Sequence, residues 1–148
     1  MVSDSALAAD DEVALRELNS LDDMRICEGL QREVWGFGDI ELVAGSHMRA
    51  VQQAGGLVVA AFVWDELAGF ALGFLLWGEA DFSGLGMHSH MLAVRQEHRG
   101  RGLGRRLKWF QRRWCLERGI SWVAWTFDPL QLKNARLNLE HSGATSAH

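Results

Sequence analysis

The chain has 148 residues with 48% apolar content and a single proline, which suits one globular domain with a sizeable core and excludes a disordered or fibrous protein. Cys27 and Cys115 offer neither a metal-ligand spacing nor a disulfide framework, and the N-terminal residues carry no basic, apolar export signal, so a reduced cytoplasmic setting is expected. The net charge of −4 hides an asymmetry: residues 1–97 balance at −11 and residues 98–148 at +7.

In chain order, residues 12–19 alternate imperfectly and read as a first strand. Ser20 with Asp23 three positions on resembles a capping box, opening a helix to about Trp35. A shorter helix over 44–54 is closed by Gly55 and Gly56, and His47 on it reads as surface. The runs 57–64 and 68–77 read as a β-hairpin joined by Asp65, Glu66 and Leu67. The longest apolar runs, 55–64 and 68–77, are about ten residues each, against the roughly 20 that span a bilayer, so no membrane segment is expected. A loop over 78–86 leads to a strand at 87–94. Beyond it Leu103, Leu107, Phe110 and Trp114 recur at helical spacing as a buried stripe, with most arginines off it. Residues 120–127 form a strand apolar on both faces, Asp128-Pro129 breaks it, and a last helix over 130–141 ends before Gly143. The tryptophans read mostly as core, although Trp35, Trp77 and Trp125 are candidates to wall an acceptor pocket.

Between the strand at 87–94 and the next helix stands His98-Arg99-Gly100-Arg101-Gly102-Leu103-Gly104-Arg105-Arg106. Glycines without a Cβ let backbone N–H groups approach a ligand, and a helix start with its macrodipole favours an anion, which the arginines reinforce. The result is an oxyanion cradle suited to a pyrophosphate. The glycine spacing fits neither the dinucleotide-binding fingerprint nor the Walker loop. Alternatives are a glycine-rich turn before a solvated basic helix, or nucleic-acid binding through that helix, which the acidic remainder of the chain disfavours.

Arg99-x-x-Gly102-x-Gly104 after a strand resembles the pyrophosphate-binding motif of the GNAT superfamily of acyl-CoA-dependent N-acyltransferases. The predicted order β-α-α-β-β-β-α-β-α is the order of that superfamily. The run Trp125-Thr126-Phe127-Asp128-Pro129-Leu130, with Asn134-Ala135 and Gly143-Ala144 beyond it, looks like one bacterial subgroup. The resemblance implies a mixed α/β (α+β) fold over residues 1–148, a mostly antiparallel central sheet flanked by helices and lacking the last two strands. It implies acetyl-CoA or another acyl-CoA as co-substrate. Cofactor contacts fall on Leu92, Ala93, Val94, Arg99, Gly100, Arg101, Gly102, Leu103, Gly104 and Arg105, with Asn134 added. The backbone of 92–94 would bond the pantetheine arm and polarise the thioester.

Two departures bear on mechanism. The edge of the strand at 120–127 is expected to be covered by a second copy in a homodimer, or by a strand lost through truncation or an altered reading frame, because bare apolar edges invite pairing. The tyrosine that superfamily members often use to protonate the departing thiolate aligns with Leu139, and the chain contains no tyrosine. With a thiol pKa near roughly 8.5 the thiolate is a tolerable leaving group, and water or His141 would supply the proton.

His88 and His90, two apart on one strand face, resemble the histidine pair that serves as base through water in arylalkylamine N-acetyltransferases. They are the catalytic candidates, with Asp81, Glu97 and Asp128 as rival carboxylates and no metal expected. Asp128 before Pro129 also reads as a helix cap, and Glu97 as surface. The expected activity is direct transfer of acetyl or another short acyl group to a primary amine of a small molecule. A CoA-binding module without catalysis is the alternative.

Overall fold

The computed structural model describes residues 12–79 and 82–125. Strand β1 (Val13–Glu17) alternates half-buried and exposed residues, and helix α1 (Leu21–Trp35) follows at once. Ser20 caps that helix, its Oγ accepting from the Asp23 N–H at 3.1 Å, while Asp22 and Asp23 complement the dipole in the first turn. Gly36, at φ 66°, ends it in the left-handed conformation with its N–H on the Arg32 carbonyl. Helix α2 (Gly45–Gln53) is held beside α1 by Gln31, whose amide both donates to and accepts from the Val43 backbone at 2.9 Å.

Strands β2 (Leu57–Val63) and β3 (Glu66–Gly78) form a hairpin. Its turn is Trp64-Asp65 and not the expected 65–67: both residues have positive φ (49° and 63°), the conformation that matches the twist of two-residue hairpins. Strand β4 (Gly84–Val94) pairs with β3 as far as Gly78 with Gly84, so the expected loop over 78–86 shrinks to a short connection. A 3-10 turn (Gln96–His98), helix α3 (Leu103–Glu117) and strand β5 (Val123–Ala124) complete the described chain. The sheet order is β1-β2-β3-β4-β5, antiparallel except for β4 and β5, which are parallel. The expected strand at 120–127 pairs only at Val123 and Ala124 among the described residues, and the last helix lies outside them.

Both faces of the sheet are covered, which is why β2 reads as a continuous apolar run. Val58 and Ala60 join Met24, Cys27, Leu30, Met48, Phe70 and Leu72 under α1 and α2. Leu57, Val59 and Ala61 face the other way, against Leu107, Trp114 and Cys115 of α3. Each large side chain buried this way contributes about 1.5–3 kcal/mol. A third cluster joins Val63, Ala68 and Leu103, with Val13 and Val94 against it, and ties the start of α3 to the end of β4. Arg95, only 18% exposed, pins the same end of the sheet through ion pairs to Glu33 of α1 (3.2 Å) and Glu66 of β3 (2.6 Å).

Glycines let β5 close on β4. The Trp122 ring lies flat over Gly86 and Gly78, where an added Cβ would overlap the indole. Gly86→Ala is therefore expected to lower stability by about 2–3 kcal/mol, the upper range for overpacking, and to loosen the β4–β5 junction. Thermal unfolding, read beside hydrogen exchange at the Met87 amide that bonds the Trp122 carbonyl, checks this.

Candidate functional site

The glycine-rich turn forms where β4 meets α3. Gly100 and Gly102 sit at φ 82° and 74°, a region that costs an L-residue roughly 1–2 kcal/mol. Gly102 is the N-cap of α3, and no side chain caps the helix. The Arg106 N–H bonds the Gly102 carbonyl at 3.0 Å, so the amides of Leu103, Gly104 and Arg105 precede the first helical bond and have no acceptor within the helix. Nothing lies within 4 Å of where a Cβ would stand on Gly100 or Gly102. The turn is thus a concavity of free N–H groups open to solvent. Exposed Arg99, Arg101 and Arg105 surround it, and Arg99 braces it through Nε on the Val94 carbonyl at 3.2 Å. Leu103 is 1% exposed, its side chain in the core, so it offers only its amide.

The glycine turn opens onto an unpaired strand edge. β4 pairs with β5 only at Met87 and His88; from Ser89 to Val94 its outer edge faces no strand among the described residues. Leu92 and Val94 pack, partly buried, toward α3 and Ala93 toward α1, so the edge between them is lined by backbone groups. The strand also carries a bulge that the sequence reading missed. Leu72 pairs with Met91 and Gly73 with Ser89, leaving His90 as the extra residue. Gly73 was the signal: a glycine inside a strand marks a bulge or a close approach, and a Cβ there would stand 2.6 Å from the Met87 sulfur.

His88 and His90 face the α1 side of this bulge. Their ring centroids are 5.8 Å apart, and Phe74 of β3 contacts both, at 4.9 and 5.5 Å. His88 is half-buried and His90 exposed. Burial, then the positive charge of His90, lower the His88 pKa from its ordinary 6.5. An imidazole kept neutral near pH 7 is a proton acceptor. Of the rivals, Glu97 is exposed on the 3-10 turn, while Asp81, Asp128 and His141, with Asn134, lie outside the described residues. His47 is exposed on α2. Trp35 stacks on Phe37 with centroids 5.2 Å apart, and Trp77 is 76% exposed. The assignment of Trp125 to an acceptor wall is corrected: its ring lies under Lys108 of α3 at 4.2 Å, on the opposite side of the sheet from the histidines, because β5 alternates and Ala124 takes the histidine side.

On that α3 side stand polar residues that the sequence reading passed over. Gln111 falls within the helical stripe, is 1% exposed, and its Oε1 accepts from Ser89 Oγ at 2.9 Å. Burial lowers the Lys108 pKa from 10.5 to about 8. The basic face of α3 turns elsewhere: Arg112 and Arg113 lie over the rings of Trp109 and Phe110, lining with Leu15 a groove that starts at Gly102. No cluster of three or more metal-ligating side chains occurs among the described residues.

The model of the Acetyltransferase (GNAT) family matches residues 20–138. A sequence search of curated proteins finds no match. The solved structures that resemble this fold include an aminoglycoside acetyltransferase, meta-AAC0020, from an uncultured soil metagenomic sample, crystallised with sisomicin. It is 16% identical with a TM-score of 0.76, the alignment covering 94% of this chain and 92% of that one. The aminoglycoside N-acetyltransferase AAC(6')-Iy in complex with CoA gives 16% identity, a TM-score of 0.75, and coverage of 92% and 90%. A ribosomal-protein-alanine N-acetyltransferase from Brucella melitensis biovar Abortus 2308 gives 18%, 0.70, and coverage of 92% and 95%. At these identities the likeness is one of fold.

Proposed function

The chain belongs to the GNAT family of acetyltransferases, and from that membership we propose that it moves acetyl or another short acyl group from acyl-CoA directly to a primary amine of a small molecule. The observation that carries this reading is the continuity of three features along β4. An uncapped glycine turn offers amides and arginines for a diphosphate. Next to it runs an unpaired strand edge, where the β4 backbone has the donors and acceptors to match an amide-bearing pantetheine arm. At the far end a bulge presents two histidines on the opposite face.

The amine acceptor approaches from the α1 and α2 side. His88, neutral at pH 7, takes the ammonium proton through water, and His90 shares the work. The free amine then attacks the thioester carbonyl, whose developing charge is met by preformed β4 amides. The thiolate leaves and is protonated by solvent. Neither cysteine takes part: Cys27 and Cys115 are buried, with thiols pushed up to about 12 and about 11 by burial.

Turnover is tested by thiol release from acetyl-CoA and succinyl-CoA across a panel of primary amines, aminoglycosides included because two structural relatives bear that name. Thiol release that depends on an amine supports the reading. Tight CoA binding with no release across the panel favours the second reading, a CoA-binding module, which the lack of any tyrosine motivates. We also propose that a second copy covers the outer edge of β5, the last strand of the described sheet. Light scattering showing only monomer would refute that.

A further inference from the structure

Strand β1 lies at the edge of the sheet, and its outer side is open. The Glu12 carbonyl and the Leu18 amide bond to β2, at Trp64 and Val58, so by antiparallel alternation Ala14 and Arg16 also turn their backbone groups inward. Val13, Leu15 and Glu17 turn theirs outward, where no strand of the described sheet meets them. Edge strands are commonly blunted by charge, yet the two charged residues of β1, Arg16 and Glu17, stand at its end.

The same strand runs alongside α3. Val13 packs on the cluster that holds Leu103 at the start of the helix, Leu15 on the cluster that Phe110 joins, and Glu17 pairs at 3.8 Å with Arg118 just past the helix end. The two elements match in reach, about 17 Å for β1 and about 22 Å for α3. A groove of about 900 Å³ follows them, with Leu15, Trp109, Phe110 and Leu116 among its walls together with five arginines, and no carboxylate of the described residues lines it. Arg101, Arg105 and Arg112 have no carboxylate partner among the described residues, and Arg113 reaches Glu117 only at 3.9 Å on the open surface. Trp109 and Leu116 are 47% and 57% exposed, so the groove offers apolar surface as well as positive charge.

Edge and groove together select the ligand. A single nucleic-acid strand would use the arginines and Trp109 but leave the β1 amides idle, whereas an extended peptide engages both. We propose that an extended, acidic segment of a partner protein adds as a further strand to the outer edge of β1. Its residues opposite Val13 and Leu15 share their face of the sheet, so acidic side chains there turn toward α3, where guanidinium forks match carboxylates. His88 and His90 lie on the other face, so this segment is a partner and not the acyl acceptor.

The probe is a hexapeptide of alternating glutamate and valine, blocked at both ends, titrated into the full chain by calorimetry and followed by hydrogen exchange. Bound as a strand, it slows exchange at the Val13, Leu15 and Glu17 amides and leaves Ala14 and Arg16, already bonded to β2, as they were. The double variant Arg112→Gln/Arg113→Gln, about 15 Å along α3 from Gly102, is expected to weaken the peptide about tenfold with its circular dichroism unchanged. N-methylation of the glutamates, whose N–H groups would face β1, is expected to abolish binding. A methylated peptide that binds as well as its parent, or unchanged exchange at the three amides, overturns the edge pairing. Peptide affinity unaltered in the double variant overturns the arginine groove, and a hexapeptide that does not bind at all overturns both. Single-stranded dT12 that binds more tightly than the peptide, and loses that affinity in the double variant, gives the groove to nucleic acid and overturns the proposal.

Discussion

Gly102→Val is expected to weaken CoA binding by at least about 100-fold while lowering Tm by only a few degrees. The φ of 74° makes any β-branched residue strained there, costing roughly 1–2 kcal/mol. No atom of the protein lies within 4 Å of the added Cβ, so nothing in the fold is displaced. The new methyls stand instead in the space that the free amides of α3 face. Losing two charge-assisted hydrogen bonds to a diphosphate, each worth about 1.5–3 kcal/mol, gives the predicted loss. Calorimetry beside circular dichroism separates lost binding from lost fold. A variant that binds CoA as well as wild type would place the anion site elsewhere.

The double variant His88→Ala/His90→Ala is expected to lower kcat/KM by about 10²- to 10⁴-fold at pH 7, the range of one general base, with CoA affinity retained. The pH profile carries more information than the magnitude. Because the folded-state pKa of His88 is lowered, the neutral base predominates above pH 6.5, and activity falls on the acid side with a midpoint below that value. His90→Ala removes one of the two causes of the lowering, so in that single variant the midpoint moves up toward 6.5. The same shift gives a stability sign: the contribution of neutral His88 is present above pH 6.5 and is lost as pH falls through the lowered value. An acid limb that stays in place in His90→Ala and again in the double variant would rule out the histidines and turn attention to carboxylates.

These two experiments probe different ends of β4, and the ends were not equally legible. The glycine-rich turn could be read in advance because its signal is local: three glycines, flanking arginines and a strand-to-helix transition lie within nine residues. The cap at Ser20 and the stripe of Leu103, Leu107 and Trp114 are local in the same sense, each set by spacing along one helix. The histidine pair was legible as a pair, since residues two apart in a strand share a face. Its bulge was signalled only by Gly73, on the neighbouring strand, and which residue became the extra one depended on the pairing register. The hairpin turn was placed one to two residues late for a similar reason. Trp64 looks like a strand residue by type, yet the pairing of Val63 with Glu66 puts it in the turn.

Composition and period determined the class of this protein: a sheet covered on both faces, and an uncapped glycine turn at the head of a basic helix. Each of these follows from chemistry that neighbouring residues impose on one another. Only the tertiary structure decided that β4 and β5 part after His88, that Trp125 faces α3 and not the histidines, and that Lys108 and Gln111 stand over the gap. Ser89, Lys108 and Trp125 are spread over 37 positions of the chain, and no local rule relates them. They meet because a parallel strand must return from the far end of a packed helix, and Gly78 and Gly86 leave the room that the Trp122 ring takes beside that pairing.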